Sequence, residues 1–496
     1  MQKAGIKNKN EACIAQKIHR AFFSLSGVQL NYNSTLYCAE NASVTLTITP
    51  EKGYILSALT VNGTDVTGSV SNNSYTFNMP TEDITVTAAF VKETFTYVDM
   101  NGNTQTVEAE RITSDSQVGL YSGWYAVGGN VTRNSGFNLV SGGVGVVINI
   151  ILCDGATLSL PNSTISTAGG GKPNLVIWGQ ENGTGTLSCL SISDQVTSVT
   201  VNGGKLYCGV SNYNCAINGN LNVNGGEVHL TAGFNTCVNG SVTYNGGILD
   251  TKKISGSTTL NWSNAATDRV KVSEYGGSVT IADGKFFKDA SGNYYYGSLT
   301  DAQKNAIKNV ELQPSPNAHF ITVDATVHGA ATAPAVAESG NTVTVTVAPD
   351  TGYKVASVKY NSTDATKVDD THFTFTMPTS NVTVTASFQP ITYTITYNNV
   401  EGATFAASNP VSYTVEGEVI TLNNPIKTGY TFGGWTGTDL DGITQTVTIP
   451  SGSTGDRAYT ANWTTHTYSA PNYLQSPGKL QKLPSLVPDE GTFVHL

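Results

Sequence analysis

The residue types that carry most protein chemistry are sparse in this sequence and poorly spaced for it. The seven histidines are His19, His229, His319, His328, His372, His466 and His495. None forms the H-x-x-x-H pair that sets two imidazoles on one helix face around zinc. No G-x-S-x-G elbow presents a nucleophilic serine. Gly169-Gly-Gly171-Lys172 has some glycines of a phosphate loop, but the leading glycine is missing and Pro173 stands where a metal-binding Ser or Thr is needed. Gly143-Val-Gly145 lacks the third glycine of a dinucleotide fingerprint, and Asp439-Leu-Asp441-Gly442 lacks the remaining ligands of a calcium loop. All three read as turns. Glycoside cleavage needs two carboxylates facing one bond. The middle of the chain offers scattered charges: Asp154, Glu181, Asp194, Lys205, Glu227 and Asp250. Asp194 and Glu227 are the acids that could meet across neighbouring coils, although a solvated placement explains them as well. The sequence therefore predicts no enzyme, no catalytic residue, no metal site and no cofactor.

Two other residue types bear on binding. Trp124, Tyr125, Trp178, Tyr207, Tyr213 and Tyr244 all fall in the middle region, where aromatic rings aligned on one β face could stack against sugars. The seven cysteines are Cys13, Cys38, Cys153, Cys189, Cys208, Cys215 and Cys237. Their number is odd, their spacing irregular, and no C-x-x-C occurs, which argues against a disulfide framework and a zinc knuckle. Buried free thiols are expected. Cys215 and Cys237, 22 residues apart, are expected at like positions on neighbouring coils.

Composition limits the partners. Charged residues are 12% of the 496, about half the usual share of about 25%. Thr, Ser, Asn and Gly fill the gap, which suits strands with one wet face closed by tight turns. The net charge is −10 and no dense basic run occurs, so nucleic acid is not an expected partner. The longest apolar stretch, Val144 to Cys153, is interrupted by Asn149 and falls far short of the ~20 residues of a membrane span. Lys3, Lys7, Lys9, Lys17 and Arg20 precede only Ala21-Phe-Phe-Ser-Leu25, too brief for the apolar run of a secretory signal. From Pro471 to Leu496 no sorting pentapeptide or hydrophobic anchor occurs.

The elements that must position any site are read from repeats. Asn202-Gly-Gly204, Asn224-Gly-Gly226 and Asn245-Gly-Gly247 recur at 22 and 21 residues, each after a short apolar-alternating run. Asn218-Gly219 and Asn239-Gly240 recur at 21. Asn and Gly accept positive φ and so mark fixed corners. Corners at a nearly constant period fit the coils of a parallel β-helix better than a sandwich of N-G hairpins, because hairpin turns alone set no period.

A second repeat joins distant segments. Ser43-Val-Thr-Leu-Thr-Ile-Thr-Pro50-Glu-Lys-Gly53-Tyr54 matches Thr342-Val-Thr-Val-Thr-Val-Ala-Pro349-Asp-Thr-Gly352-Tyr353. Phe77-Asn-Met-Pro-Thr81 matches Phe375-Thr-Met-Pro-Thr379, and Ile84-Thr-Val-Thr-Ala-Ala-Phe90 matches Val382-Thr-Val-Thr-Ala-Ser-Phe388. The shared P-x-x-G-Y and F-x-M-P-T resemble the divergent B-repeats of bacterial surface proteins. A stretch like His319–Val336 before the second copy is not evident before Ala39. From Ile391 to Trp463, Lys427-Thr-Gly-Tyr-Thr-Phe-Gly-Gly-Trp435 and Tyr459-Thr-Ala-Asn-Trp463 are similar to a Listeria–Bacteroides repeat, the B-repeat of internalin-type proteins. The resemblance implies a small β-grasp-like fold in secreted or surface-anchored proteins. Trp435 and Trp463 are expected as core plugs.

The chain is therefore read as mostly β, with tandem small β modules (β-grasp-like or sandwich) flanking a right-handed parallel β-helix. The expected divisions are an unassigned 1–38, a B-repeat-like module 39–91, connecting strands 92–116, the β-helix-like region 117–264, a connecting segment 265–316 with one helix at Asp301–Asn309, a second B-repeat-like module 317–389, the Listeria–Bacteroides repeat 390–464 and a tail 465–496. A non-enzymatic surface or secreted protein follows, with adhesion or host interaction as its role and glycans or host cell-surface proteins as partners. A carbohydrate- or cell-wall-binding protein and a β-helix lyase or glycosidase are the alternatives.

Overall fold

The computed structural model describes residues 5–8, 18–26, 34–141, 143, 145–192, 196–209, 215–231 and 236–467. The chain is mostly β and divides into two units, Met1–Ala318 and His319–Leu496.

The three small modules share one plan. In the first, a five-stranded sheet runs in the order Ser34–Ala39, Ile18–Ser26, Ile84–Lys92, Tyr54–Val61, Thr64–Asp65. In the second, the order is Val336–Glu338, Ala318–Val323, Val382–Pro390, Tyr353–Tyr360, Thr363–Asp364. In the third, Ser412–Tyr413, Tyr393–Asn398, Arg457–Thr465 and Tyr430–Gly437 repeat the first four places. In each, an early strand pairs parallel with the last long strand, and the strand after the G-Y turn pairs antiparallel with it. The glycine before each tyrosine takes positive φ: 79° at Gly53, 90° at Gly352 and 81° at Gly429. A bulge follows two residues after each tyrosine, at Leu56, Val355 and Phe432, and bends the strand over its core.

Strand Ile18–Ser26 corrects the expectation for the first copy. It occupies the place of Ala318–Val323, so strands precede Ala39 there too. Alternation fills the cores as the pattern requires: Val44, Leu46 and Ile48 in the first, Val343, Val345 and Val347 in the second. In the third, Trp435 is fully buried and its Nε1 donates to Asn424 Oδ1 at 3.1 Å. Trp463 is partly buried against the same core.

The middle of the chain is a stack of parallel coils. One sheet has nine strands: Glu110–Arg111, Gly123–Val127, Val147–Leu152, Asn174–Gly179, Ser198–Val201, Asn220–Val223, Val242–Tyr244, Thr258–Leu260 and Val279–Ile281. A second has seven parallel strands: Asn130–Thr132, Thr157–Leu160, Thr186–Cys189, Lys205–Cys208, Glu227–Leu230, Ile248–Ile254 and Arg269–Tyr275. It is extended by the antiparallel strands Glu311–Pro314, Phe287–Lys288 and Tyr294–Tyr295. A third ladder, not expected from the sequence, climbs through Ile165, Ile192, Ile217, Val238 and Ile254. The architecture is that of a β-helix.

Register turns the sequence period into columns. Ile177, Val201, Val223, Tyr244, Leu260 and Ile281 stack in the core, as do Leu158, Leu187, Leu206, Val228, Leu249 and Val270. The N-G-G corners turn the chain from the first sheet to the second. Their second glycines, Gly204, Gly226 and Gly247, have φ of 73°, 71° and 83°. The stack runs past the expected limits at both ends: Glu110–Arg111 begins it and Val279–Ile281 closes it. The helix Asp301–Ala306 lies in the segment that follows, and Thr300 and Gln303 make the expected capping box.

Candidate functional site

Strand alternation decides which side chains of the stack can meet a partner. In Lys205-Leu-Tyr-Cys208, Leu206 and Cys208 face the core, so Lys205 and Tyr207 face out. One coil later Glu227 and His229 face out beside Val228 and Leu230. Parallel register places Lys205 beside Glu227 and Tyr207 beside His229. The two rings stack with centroids 5.0 Å apart and planes 7° from parallel. Lys205 Nζ donates to Glu227 Oε1 at 2.9 Å, and Glu227 Oε2 lies 3.6 Å from His229 Nε2. The hydrogen bond to Glu227 raises the Lys205 pKa. Asp250 and Lys271 continue the His229 column on the next two coils. Tyr207 is 38% exposed. The result is a flat patch: a fixed ring pair with hydrogen-bonding charges on either side. It can stack on the apolar face of a sugar or on a planar side chain and hold neighbouring polar groups. Among the described residues, no group of three or more His, Cys, Asp or Glu is placed to hold a metal ion.

The five of the six expected aromatics that are described do not form one stripe. Trp124 and Trp178 come together on the outside of the nine-stranded sheet, 5.8 Å apart, but a hairpin covers them. Strands Thr94–Val98 and Thr104–Glu108 form that hairpin, and Tyr97 lies 4.8 Å from each tryptophan. Gln180 Nε2 donates to the Thr96 carbonyl at 3.0 Å and locks the hairpin down. Tyr125 and Tyr244 point inward and offer no ring to a ligand. The Tyr125 hydroxyl accepts from the Tyr121 N–H, and burial raises its pKa. The Tyr244 hydroxyl donates to the Gly247 carbonyl at 2.6 Å, and burial raises its pKa strongly. Tyr207 alone of the five described is exposed on the open sheet. Tyr213 lies outside the described residues, as does Asp194, so the Asp194–Glu227 pairing is not described.

His229 was missed by sequence reasoning, yet its signal was present. It lies 22 residues after Tyr207, the same interval as between the first two N-G-G corners. Tyr97 had no such signal, because it reaches the stack from outside the period. Asp154 is not free for chemistry. It lines a cleft of about 150 Å³ beside the hairpin, and its carboxylate accepts from the N–H groups of Asn182 and Thr184, both at 3.0 Å. Partial burial works to raise its pKa, but these and the side-chain donors of the same two residues together hold it below the usual value. In the second unit, a groove of about 540 Å³ lies between Tyr353–Ser357 and Lys367–Phe373.

Comparison with known families agrees with the modular plan. Residues 27–94 and 319–392 match the divergent InlB B-repeat domain. Residues 393–461 match the Listeria–Bacteroides repeat domain. The chain thus carries three repeats of kinds typical of bacterial surface proteins. No curated protein and no solved structure matches the chain. No helix among the described residues is long and apolar enough to cross a membrane.

Proposed function

We propose that this chain is a non-enzymatic, surface-displayed or secreted adhesion protein, in which the parallel coils bind and the three repeat modules space and present them. The observation that carries the reading is the Tyr207–His229 stack, a preformed aromatic patch facing solvent on a flat sheet. Most large aromatics of the modules go to cores, as at Trp435, Tyr459 and Phe375, while Tyr353 stacks on His328 with its hydroxyl held by Glu416, and Tyr430 sets its edge against Trp463. Long, regular outer faces suit extended partners such as glycans or peptide strands on a host or neighbouring cell. Stacking partners held by hydrogen bonds need neither metal nor cofactor.

The test compares the full chain with residues 317–464 on host cells and on immobilised glycans. Binding by the full chain alone is expected, with no release of sugar from polysaccharide. Equal binding by residues 317–464 would move the function to the modules. Released sugar would restore the β-helix lyase or glycosidase reading.

A further inference from the structure

We propose that the outer face of the nine-stranded sheet, beyond the hairpin, is a second binding face shaped for a neutral polysaccharide. The inference rests on the assignment of binding to the parallel coils. Five consecutive strands and their flanks repeat one pattern: Ser198-Val-Thr-Val-Asn202, Asn220-Leu-Asn-Val-Asn224, Ser241-Val-Thr-Tyr-Asn245, Ser257-Thr-Thr-Leu-Asn261 and Ser278-Val-Thr-Ile281. The second and fourth residues of each are buried. The first, third and fifth therefore face out, and every one is Ser, Thr or Asn except Ala282, the fifth position of the last strand.

Register aligns them. Thr200, Asn222, Thr243, Thr259 and Thr280 form one outward column, with Ser or Asn columns on each side. Neighbours stand about 4.8 Å apart across strands and about 6.6 Å along them. Side-chain hydrogen bonds fix the ladder. Asn222 Nδ2 donates to Thr200 Oγ1 at 3.2 Å, and Asn245 Nδ2 to Asn224 Oδ1 at 2.8 Å. Such a lattice is ordered before a ligand arrives, which lowers the entropic cost of binding.

The corners account for Asn202, Asn224 and Asn245, but not for the uncharged first and third positions of each strand. Thr is a good strand former and Asn is not, while Lys and Glu are less disfavoured in strands than Asn. The chain does place charge on the other sheet, at Lys205, Glu227, Asp250 and Lys271. The Ser/Thr/Asn face carries none. A charged polymer gains nothing there from Coulomb attraction, and an apolar peptide finds no platform. Hydroxyl and amide groups both donate and accept. Their regular array complements a partner with the same property, an uncharged chain bearing hydroxyls at every residue. Binding without ion pairs is insensitive to salt.

The experiment measures retention of the full chain on insoluble cellulose, chitin and mannan, with polygalacturonate as the anionic comparison. Retention on at least one neutral polymer is expected, equal at low and high salt. The double substitution Thr243→Lys/Thr259→Lys should weaken it by about tenfold or more, and Asn220→Lys, on another coil, should weaken it as well. Unchanged thermal midpoints will show that these variants fold. Lys359→Ala, in the strand Tyr353–Tyr360 of the second repeat module, should retain binding. Retention only on polygalacturonate, retention on no neutral polymer, or full retention by the lysine variants overturns the inference. Cell binding that persists without neutral-polymer binding removes this face alone, whereas cell binding by residues 317–464 removes the underlying assignment.

Discussion

Cys189 and Cys208 occupy the same station on successive coils, with their Sγ atoms 3.2 Å apart inside the core. The pair expected from spacing was Cys215 and Cys237. The bridge between Ile217 and Val238 instead aligns Ala216 with Cys237, leaving Cys215 one residue out of step. The hydrogen bond with Cys189, together with burial, holds the Cys208 thiol well above its ordinary value. Thiolate is the reacting form. Alkylation of the native chain should spare Cys208 for this reason and Cys189 and Cys237 because they are buried, and unfolding should expose all three. Peptide mass spectrometry before and after denaturant reads this, and rapid native labelling of Cys208 would contradict the packing.

The N-G-G corners give a graded prediction. Gly226 has φ of 71°, and a Cβ there would stand 2.3 Å from the Gly204 carbonyl oxygen. Gly183 has φ of 59° but open space around it. Gly183→Ala should cost about 1–2 kcal/mol, the left-handed term alone. Gly226→Ala should cost about 3 kcal/mol or more, because backbone on the preceding coil must also move. Urea unfolding of the two variants compares them.

The corners also show how far the sequence could be read. Asn-Gly-Gly at 22 and 21 residues fixed the coil period and, through it, the core columns. The same rule applied to Tyr207 leads to His229. The third ladder was hidden because after the strand Ile165–Ala168 it continues through single residues, such as Ile192 and Ile217, with no alternating run around them. The hairpin over Trp124 and Trp178 was hidden because its contacts are set by tertiary packing. Tyr125 and Tyr244 were misplaced for a local reason. One step along a strand reverses the face, and ring type alone does not say which face is core. The shared plan of the three modules was half visible: the G-Y turn recurs, while the common bulge and the early parallel strand depend on pairing across the sheet.

The hairpin lock is separately testable. Trp178 touches Tyr97 and Trp124, and its Nε1 donates to Asn149 Oδ1 at 3.0 Å. Trp178→Ala should destabilise the chain by about 2–3 kcal/mol, somewhat below the cost at a fully buried site. It should also open residues 94–108 to proteolysis. Unchanged protection of the hairpin would mean that the aromatic cluster does not hold it.

Asp154 gives a pH dependence. Its folded pKa lies below the usual 3.8, so its contribution is complete above that value and is lost as pH falls through the lower folded value. Asp154→Asn should cost about 1 kcal/mol at neutral pH through the weakened hydrogen bonds to Asn182 and Thr184. The difference from wild type should shrink in acid below the usual carboxylate value. A difference that stays constant from neutral pH down into that range would assign the effect to packing.

Competition measures most directly the claim that the parallel coils bind and the modules present them. Labelled full chain is bound to host cells, and unlabelled residues 317–464 are added in large excess. The account predicts no displacement, while unlabelled full chain displaces fully. Displacement by residues 317–464 would place the binding site in the repeats and contradict the account.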